Sequence, residues 1–441
     1  MDGKAIIARL KRLSEVEKPK DITQLTYALF PGAHCPLFGA MLAIKGIKDA
    51  YMLVVGTEEC THYTKATTMN PAFGGIDSRC LSIVLTRHDV TFGAWEKVES
   101  VFSQVAEEFA PKAVFLTGTC LTEIIGDDLD ALAATLTAAH GIPVLPVHTE
   151  HFKTENHLPG VASVLTSCFG LMEKGETKDF VNIIGQRLGD FRRTELCRIL
   201  TEANIPLGMT LPSGCTIDEI KAGANAKVNV VVDAATGLSL AKAMEKEFGV
   251  PYVTFERFTD PENIYDAYTA LFSYLKIPPP PQVDQLKKQS LETIAKGENS
   301  LKNIRYIYGN TPLSFFEFNA FMVRMGMIPQ LLQTAELPEL DNKNLQFILK
   351  HQNPYVVKSA NISPLQYVYD ELKPHLYLGH EYAMRLRKKG IAMVRSDNIS
   401  SMLGFEVTEA IVKELIRASE EARELEAGGN PPMVRGMMGG M

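Results

Sequence analysis

Residues 113–149 read AVFLTGTCLTEIIGDDLDALAATLTAAHGIPVLPVHT, and the pattern of this stretch decides the fold. AVFLTG is a short apolar run of the kind that forms a fully buried strand. LTEIIGDDLDALAATLTAAHG then carries apolar residues at helical spacing, and IPVLPVHT returns to a strand pattern. Strand, helix and strand in that order make a βαβ unit, which requires parallel pairing. Cys120 falls just past the first strand, at the edge where open α/β sheets place their ligands.

Two further cysteines occupy similar places. Cys60 follows the strand-like YMLVVG, and Cys35 opens the apolar helix-like run PGAHCPLFGAMLAIKGI, with Pro36 where a first helical residue stands. All three are expected near helix N-termini, where backbone N–H groups and the helix dipole favour a thiolate. Three thiolates without a CxxC pair suit an iron–sulfur cluster completed by another group, such as a second chain. Three core cysteines are the plain alternative, since free Cys is among the most buried residue types. Spacing leaves both open.

The chain of 441 residues has room for two or three domains. Its composition, 46% hydrophobic and 22% charged, is that of a globular protein. A net charge of −7 argues against phosphate-neutralising nucleic-acid binding. No run reaches the ~18 apolar residues of a membrane span, and the N-terminus reads as an amphipathic helix or packing arm. Seven scattered cysteines make no disulfide framework, so a cytoplasmic location is expected.

The chain is expected to divide into a first α/β domain (1–180), a second (181–280), a third (281–425) and a flexible Gly- and Met-rich tail (426–441). In the first, YMLVV, LSIVLT, AVFLTG and IPVLPVHT are strands. The following loop, HTEHFKTENHLPG, brings His148, His151 and His157, which either face a pocket or metal or belong to a solvated loop. VNIIG, VNVVVD and PYVTFE are the strands of the second domain. Gly185 and Gly189 lie near its first strand end without a full dinucleotide fingerprint. Cys215, in the turn-like LPSGC, reads as a plain turn cysteine rather than a redox thiol, because no second thiol or histidine accompanies it. Cys80, Cys168 and Cys197 read as core. Pro278 to Pro281 form a spacer, after which IRYIYGN, IPQLLQTAE, HLYLGH and GIAMVRSD alternate with helical patterns.

The run CPLFGAMLAIKGIKDAYMLVVGTEEC, then RHDVTFGAWEKVESVFSQV with Phe92-Gly93, then Cys120-Leu121-Thr122-Glu123-Ile124-Ile125-Gly126-Asp127-Asp128 resembles the first domain of nitrogenase component 1. The resemblance continues, more weakly, to about residue 420. It implies three Rossmann-like α/β domains with parallel sheets. It also implies that Cys35, Cys60 and Cys120 bind half of an interfacial iron–sulfur cluster, either P-cluster-like 8Fe-7S or 4Fe-4S, shared with a partner subunit. In the family, the alpha-type chain holds the active-site cofactor through one cysteine and one histidine. The matching strand here is Val228-Asn229-Val230-Val231-Val232, followed by Asp233, and Asp397 takes the histidine's place after Gly390-Ile391-Ala392.

Both ligands are therefore replaced, and the resemblance implies a beta-type, electron-relay subunit. Its partners would be an alpha-type chain, in a heterotetramer of two pairs, and an ATP-dependent homodimeric iron–sulfur reductase. No Walker motif, GxxxxGK[ST], occurs in this chain. Dinitrogen is one candidate substrate, and a methylthio-alkane, cleaved at its C–S bond, ranks first among divergent members. The alternative is a scaffold that matures the nitrogenase cofactor without turnover of its own. Glu123, Asp127 and Asp128 are open between a role beside the cluster or in docking and, for the two aspartates, a role at a helix start.

Overall fold

The computed structural model describes residues 2–25, 34–60, 62, 79–153, 156–187, 189–334, 341–358 and 362–428. Most of the tail expected from 426 onward lies outside the described residues. Two compact units divide the chain. One comprises Gly32–Glu256 with Ala267–Pro280, the other Met1–Pro31, Arg257–Asp266 and Pro281–Met441.

In the second of these units, after a short helix (Gly3–Ile7), strand β1 (Lys11–Arg12) pairs antiparallel with β12 (Tyr355–Val357) at the edge of a sheet. The N-terminal arm thus joins the third sheet, not the first. In order across that sheet, β1 and β12 are followed by β11 (Ile328–Gln333), β10 (Arg305–Tyr308), β13 (Leu376–Leu378) and β14 (Ala392–Val394). Every pair beyond β1 is parallel.

The other unit carries two parallel sheets of four strands. In the first, β3 (Cys80–Val84), β2 (Ala50–Gly56), β4 (Ala113–Gly118) and β5 (Val144–Val147) lie in that order. The register sets Val55 beside Gly118 and Gly56 beside Val84, so these strands end together. In the second sheet the order is β7 (Leu207–Pro212), β6 (Val181–Gln186), β8 (Val228–Val231) and β9 (Tyr252–Thr254). The α/β class and the parallel sheets are those read from the sequence. Strand β7 was not separable there: LGMTLP lacks alternation, and its pairing with β6 is interrupted by register shifts. The three-residue β12 is likewise too short to carry a periodic signal.

Helix Pro36–Gly46 explains its own near-continuous apolarity. It touches β2 and β4 of the first sheet and β7 of the second, and Ala40, Met41 and Ile44 are wholly buried in a core that contains Met52 and Phe115 as well as Ile184 and Met209. A helix buried on all sides needs no polar stripe. Its neighbour is helix Leu158–Ser167. At their crossing Gly39 and Gly160 face the opposite backbones: a Cβ on Gly39 would lie 1.8 Å from the His157 carbonyl oxygen, and one on Gly160 would lie 1.8 Å from that of Pro36. This double approach fixes where the helix beginning at Cys35 starts.

Replacing Gly39 by Ala is expected to push these backbones apart at a cost of about 3 kcal/mol, the upper end for overpacking. A chemical denaturation curve with an unchanged midpoint would contradict this.

Candidate functional site

The three sequence-predicted cysteines are brought to one edge of the first sheet. Cys35 is the N-cap residue of helix Pro36–Gly46, with Pro36 at its first position. Cys60 lies in a helical stretch beginning at Glu58, just beyond β2, and its N–H donates to Thr57 Oγ1 at 3.4 Å. Cys120 is the first residue of helix Cys120–Ile125, beyond β4. All three are partly exposed, and Cys35 and Cys60 pack against the core beneath.

Burial pushes the Cys120 thiol up, and negative charge on Cys60, Glu123 and Cys35 raises it further. That mutual influence places the three sulfurs in one neighbourhood. It also reverses, for Cys120, the thiolate stabilisation expected at a helix start: burial and like charge outweigh the terminal N–H groups. A bound cation would invert this balance. Among the described residues, no group of three His, Cys, Asp or Glu side chains can hold one metal ion. Ligands carried by separate irons of a cluster stand farther apart than ligands of a single ion.

The frame around the cysteines is held by hydrogen bonds. Thr149 Oγ1 donates to Glu123 Oε1 at 3.0 Å and approaches the Gly118 carbonyl oxygen at 3.2 Å, tying the end of β5 to the Cys120 helix. Asp128 accepts from Ala131 N–H at 2.9 Å and caps helix Leu129–His140. Asp127 accepts from the Ala94 backbone at the start of helix Trp95–Phe109. Both aspartates therefore serve helix starts. Thr86 and Asp89 form a reciprocal cap at helix Arg87–Phe92, and Lys97 lies 2.8 Å from Asp89, whose carboxyl these contacts hold at about 2.

Two polar atoms at this edge were invisible in the sequence. The hydroxyls of Thr117 and Thr119 are buried and have no hydrogen-bond partner among the described residues. An unpaired buried hydroxyl costs about 1–3 kcal/mol. The same edge is apolar on its outer side: Val84, Val90, Phe92 (76% exposed), Ile124 (68%) and Phe152 (67%) all follow or end strands of the first sheet.

A second constellation lies at the strand ends of the second sheet, between β6 and β8, where the strand order reverses. Arg187 Nε donates to Asp233 Oδ2 at 2.6 Å, and the two side chains are 19% and 11% exposed. Gly185 has φ +99°, and a Cβ there would lie 2.9 Å from Asp233 Cβ. Only glycine permits both the turn and the approach. His157 stands by the pair and by His34, whose ring stacks on Phe38 at 4.0 Å. Burial first, then the charge of Arg187, lowers the His157 imidazole to about 4. His148 instead lies at the surface, 2.9 Å from Asp130, and His151 is exposed. In the other unit Asp397 is also exposed, 3.5 Å from His380.

The remaining cysteines do not join either site. Cys80, Cys168, Cys197 and Cys215 are buried. Burial pushes the Cys215 thiol to about 12 and that of Cys168 well above its usual range, which makes both poor nucleophiles.

A family model described as nitrogenase component 1 type oxidoreductase matches residues 35–419. The chain belongs to that family. Among curated relatives it is 31% identical over 284 residues to the nitrogenase iron-molybdenum cofactor biosynthesis protein NifE of Clostridium pasteurianum, covering 62% of this chain and 59% of the relative. It is 24% identical over 401 residues to the nitrogenase molybdenum-iron protein alpha chain of Methanothermobacter thermautotrophicus, covering 84% of each. The chain spans about half to three fifths of the length of the NifE relatives it matches. The solved structure titled Nitrogenase Cp1 at pH 6.5 superposes with a TM-score of 0.79 at 17% identity, covering 93% of this chain and 98% of the other. The fold is that of nitrogenase component 1. No helix among the described residues is long and apolar enough to cross a membrane.

The buried His157 yields a pH prediction. Between pH 6.5 and about 4 the unfolded chain binds a proton that the folded chain refuses, so stability falls as pH drops through that window. The loss is about 3 kcal/mol at 1.36 kcal/mol per pK unit. His157→Gln is expected to flatten this part of the stability–pH curve, and an unchanged slope in urea titrations would contradict it.

Proposed function

We propose that this chain is the beta-type, electron-relay subunit of a nitrogenase-like reductase, holding an iron–sulfur cluster through Cys35, Cys60 and Cys120. The observation that carries the reading is the gathering of three partly exposed thiols at one sheet edge. Soft thiolates are the donors that iron–sulfur clusters take, and this edge supplies three of them. The rest of the ligand set would come from an alpha-type partner, giving a P-cluster-like 8Fe-7S or a 4Fe-4S cluster at the seam. The exposed apolar rim from Val84 to Phe152 suits burial against a partner. The same face offers a docking place for an ATP-dependent iron–sulfur reductase.

When bound, the cluster takes up and passes on single electrons. The chain's own residues hold and shield it. Helix Pro36–Gly46 anchors Cys35 through a wholly buried body. The Glu123–Thr149 bond fixes the helix that bears Cys120, and the core beneath Cys35 and Cys60 keeps water from one side. No proton transfer is asked of these groups.

The family's active-site cofactor does not fit the corresponding positions of this chain. Asp233 stands where the resembled alpha-type chains have their cysteine, and its carboxylate is already engaged by Arg187. A carboxylate is a hard donor, poorly matched to a sulfide-rich iron cluster. Asp397, at the histidine's position, is an exposed carboxylate beside His380. Reduction would therefore take place on the partner subunit, with a methylthio-alkane or dinitrogen as substrate.

One observation favours a second reading: several of the similar proteins are named for cofactor biosynthesis. In that role the chain would be a scaffold that builds or hands on a cluster without turnover. The two readings part in one assay. A purified complex that reduces substrate with its reductase and ATP supports the relay; one that only donates a cluster to apo-enzyme supports the scaffold.

Cys→Ser at 35, 60 or 120 is expected to bring iron and acid-labile sulfide in the anaerobically purified complex down toward background and to abolish reductase-driven turnover. Retention of both iron and turnover in all three variants overturns the proposal.

A further inference from the structure

Arg187 follows β6 and Asp233 follows β8, at the point where the strand order of the second sheet reverses and where open α/β sheets place their ligands. The ion pair they form uses only one side of the guanidinium. Nε donates to Asp233 Oδ2 at 2.6 Å, and among the described residues neither Nη nitrogen has a hydrogen-bond partner. The Nη1–Nη2 edge is a planar fork that matches a carboxylate. It is not sealed from solvent, since the Arg187 side chain is 19% exposed.

His157 is a second polar group left idle here. Its half-buried ring meets Phe38 and His34 edge-on, with centroids at 6.0 and 6.3 Å. Neither ring nitrogen has a hydrogen-bond partner among the described residues. His375, also largely buried, is treated differently: its Nδ1 accepts the Arg305 N–H at 2.9 Å. The charged and titratable groups that face His157 are Arg187, Asp233 and His34. Asp233 also begins the 15-residue helix Ala234–Phe248 but makes no capping bond to it, because its carboxylate is engaged by Arg187. The positive end of that helix therefore lies beside the ion pair.

Charge narrows what can bind. Asp233 already cancels Arg187, so an incoming anion must be matched by a group not yet charged. His157 can supply one positive charge by taking a proton, which balances one carboxylate. A phosphate dianion would leave a second negative charge unmatched in a half-buried place, which is costly.

We propose that Arg187 and His157 form a binding site for the carboxylate group of a small organic acid, Arg187 through its Nη edge and His157 through a ring N–H. The site uses none of the three cluster cysteines and goes beyond the relay reading. Binding draws a proton onto His157. In the empty chain burial and Arg187 keep the ring neutral, and the negative charge of the ligand offsets both.

Titration calorimetry on the full-length protein supplies the measurement, with acetate and succinate as probes, acetamide and succinamide as neutral counterparts and inorganic phosphate as the dianion. Runs at about pH 6, near the ordinary histidine range, in two buffers of different ionisation enthalpy count the protons taken up. Binding of at least one acid is expected, with no binding of the amides, weaker binding of phosphate, and uptake of a proton that vanishes in His157→Gln. Arg187→Lys keeps a charge opposite Asp233 but lacks the fork, and is expected to weaken binding roughly tenfold or more, as loss of a charged hydrogen bond does. Should that variant fail to fold, the amide comparison and the His157→Gln proton count carry the test. Failure of both acids to bind wild type, equal binding of acids and amides, or tighter binding of phosphate overturns the proposal. So does unchanged affinity in a folded Arg187→Lys, or binding without proton uptake. None of these outcomes depends on iron content, so the relay reading stands or falls separately.

Discussion

The arrangement of the cysteine edge depends on one close contact, the crossing of helix Pro36–Gly46 with helix Leu158–Ser167. Two backbones meet there with no side chain between them, because Gly39 and Gly160 each face an opposing carbonyl. The first helix must also fill the space between strands of two sheets, so its position is set from three directions. Cys35 is the residue at which this helix starts, and it cannot shift without the helix shifting. The contact is made from methylenes, methyls and main chain, yet its product is the placement of a sulfur. Cys60 and Cys120 need no such device. Each follows the end of one of two adjacent parallel strands whose register brings Val55 beside Gly118.

Much of this was legible in the residues. AVFLTG, YMLVVG and VNVVVD announced their strands by unbroken apolar runs, which mark parallel strands buried on both faces. Cys35, Cys60 and Cys120 could be placed at strand ends and helix starts because Pro36 and the strand runs fix those boundaries. The N-terminal arm was less readable. Its short strand pairs with β12, some 340 residues farther along the chain, and local pattern carries no trace of so distant a partner. The Cys120 thiol shows a second limit. Position at a helix start suggested a favoured thiolate, but burial and neighbouring like charges decide the direction, and these are known only once the chain has folded.

The histidines of residues 148–160 divide for a similar reason. His148 and His151 face solvent, whereas His157 lies against helix Pro36–Gly46, near an ion pair formed by residues that follow β6 and β8. Sequence proximity placed the three in one loop, and packing separated them. His157 is held neutral by burial and by Arg187, so it adds no positive charge to a neighbourhood that already carries a guanidinium. The Arg187–Asp233 pair has its own logic. A buried carboxylate without a partner costs several kcal/mol, and removing one member of such a pair typically costs about 3–5 kcal/mol. Once Asp233 stands at the end of β8, Arg187 is needed to neutralise it, and Gly185 is needed to let the chain approach.

These two strand-end sites differ in what they leave unsatisfied, and that difference is the argument for their roles. Between β6 and β8 the charges answer one another within the chain: Asp233 has Arg187, and His157 is neutral. Beyond β2 and β4 the chemistry is open. Three thiols repel one another as their charge develops. A folded chain tolerates unpaired polar atoms at a functional site when something that binds there completes them. Anionic sulfurs need a cation, and iron is one that soft thiolates take.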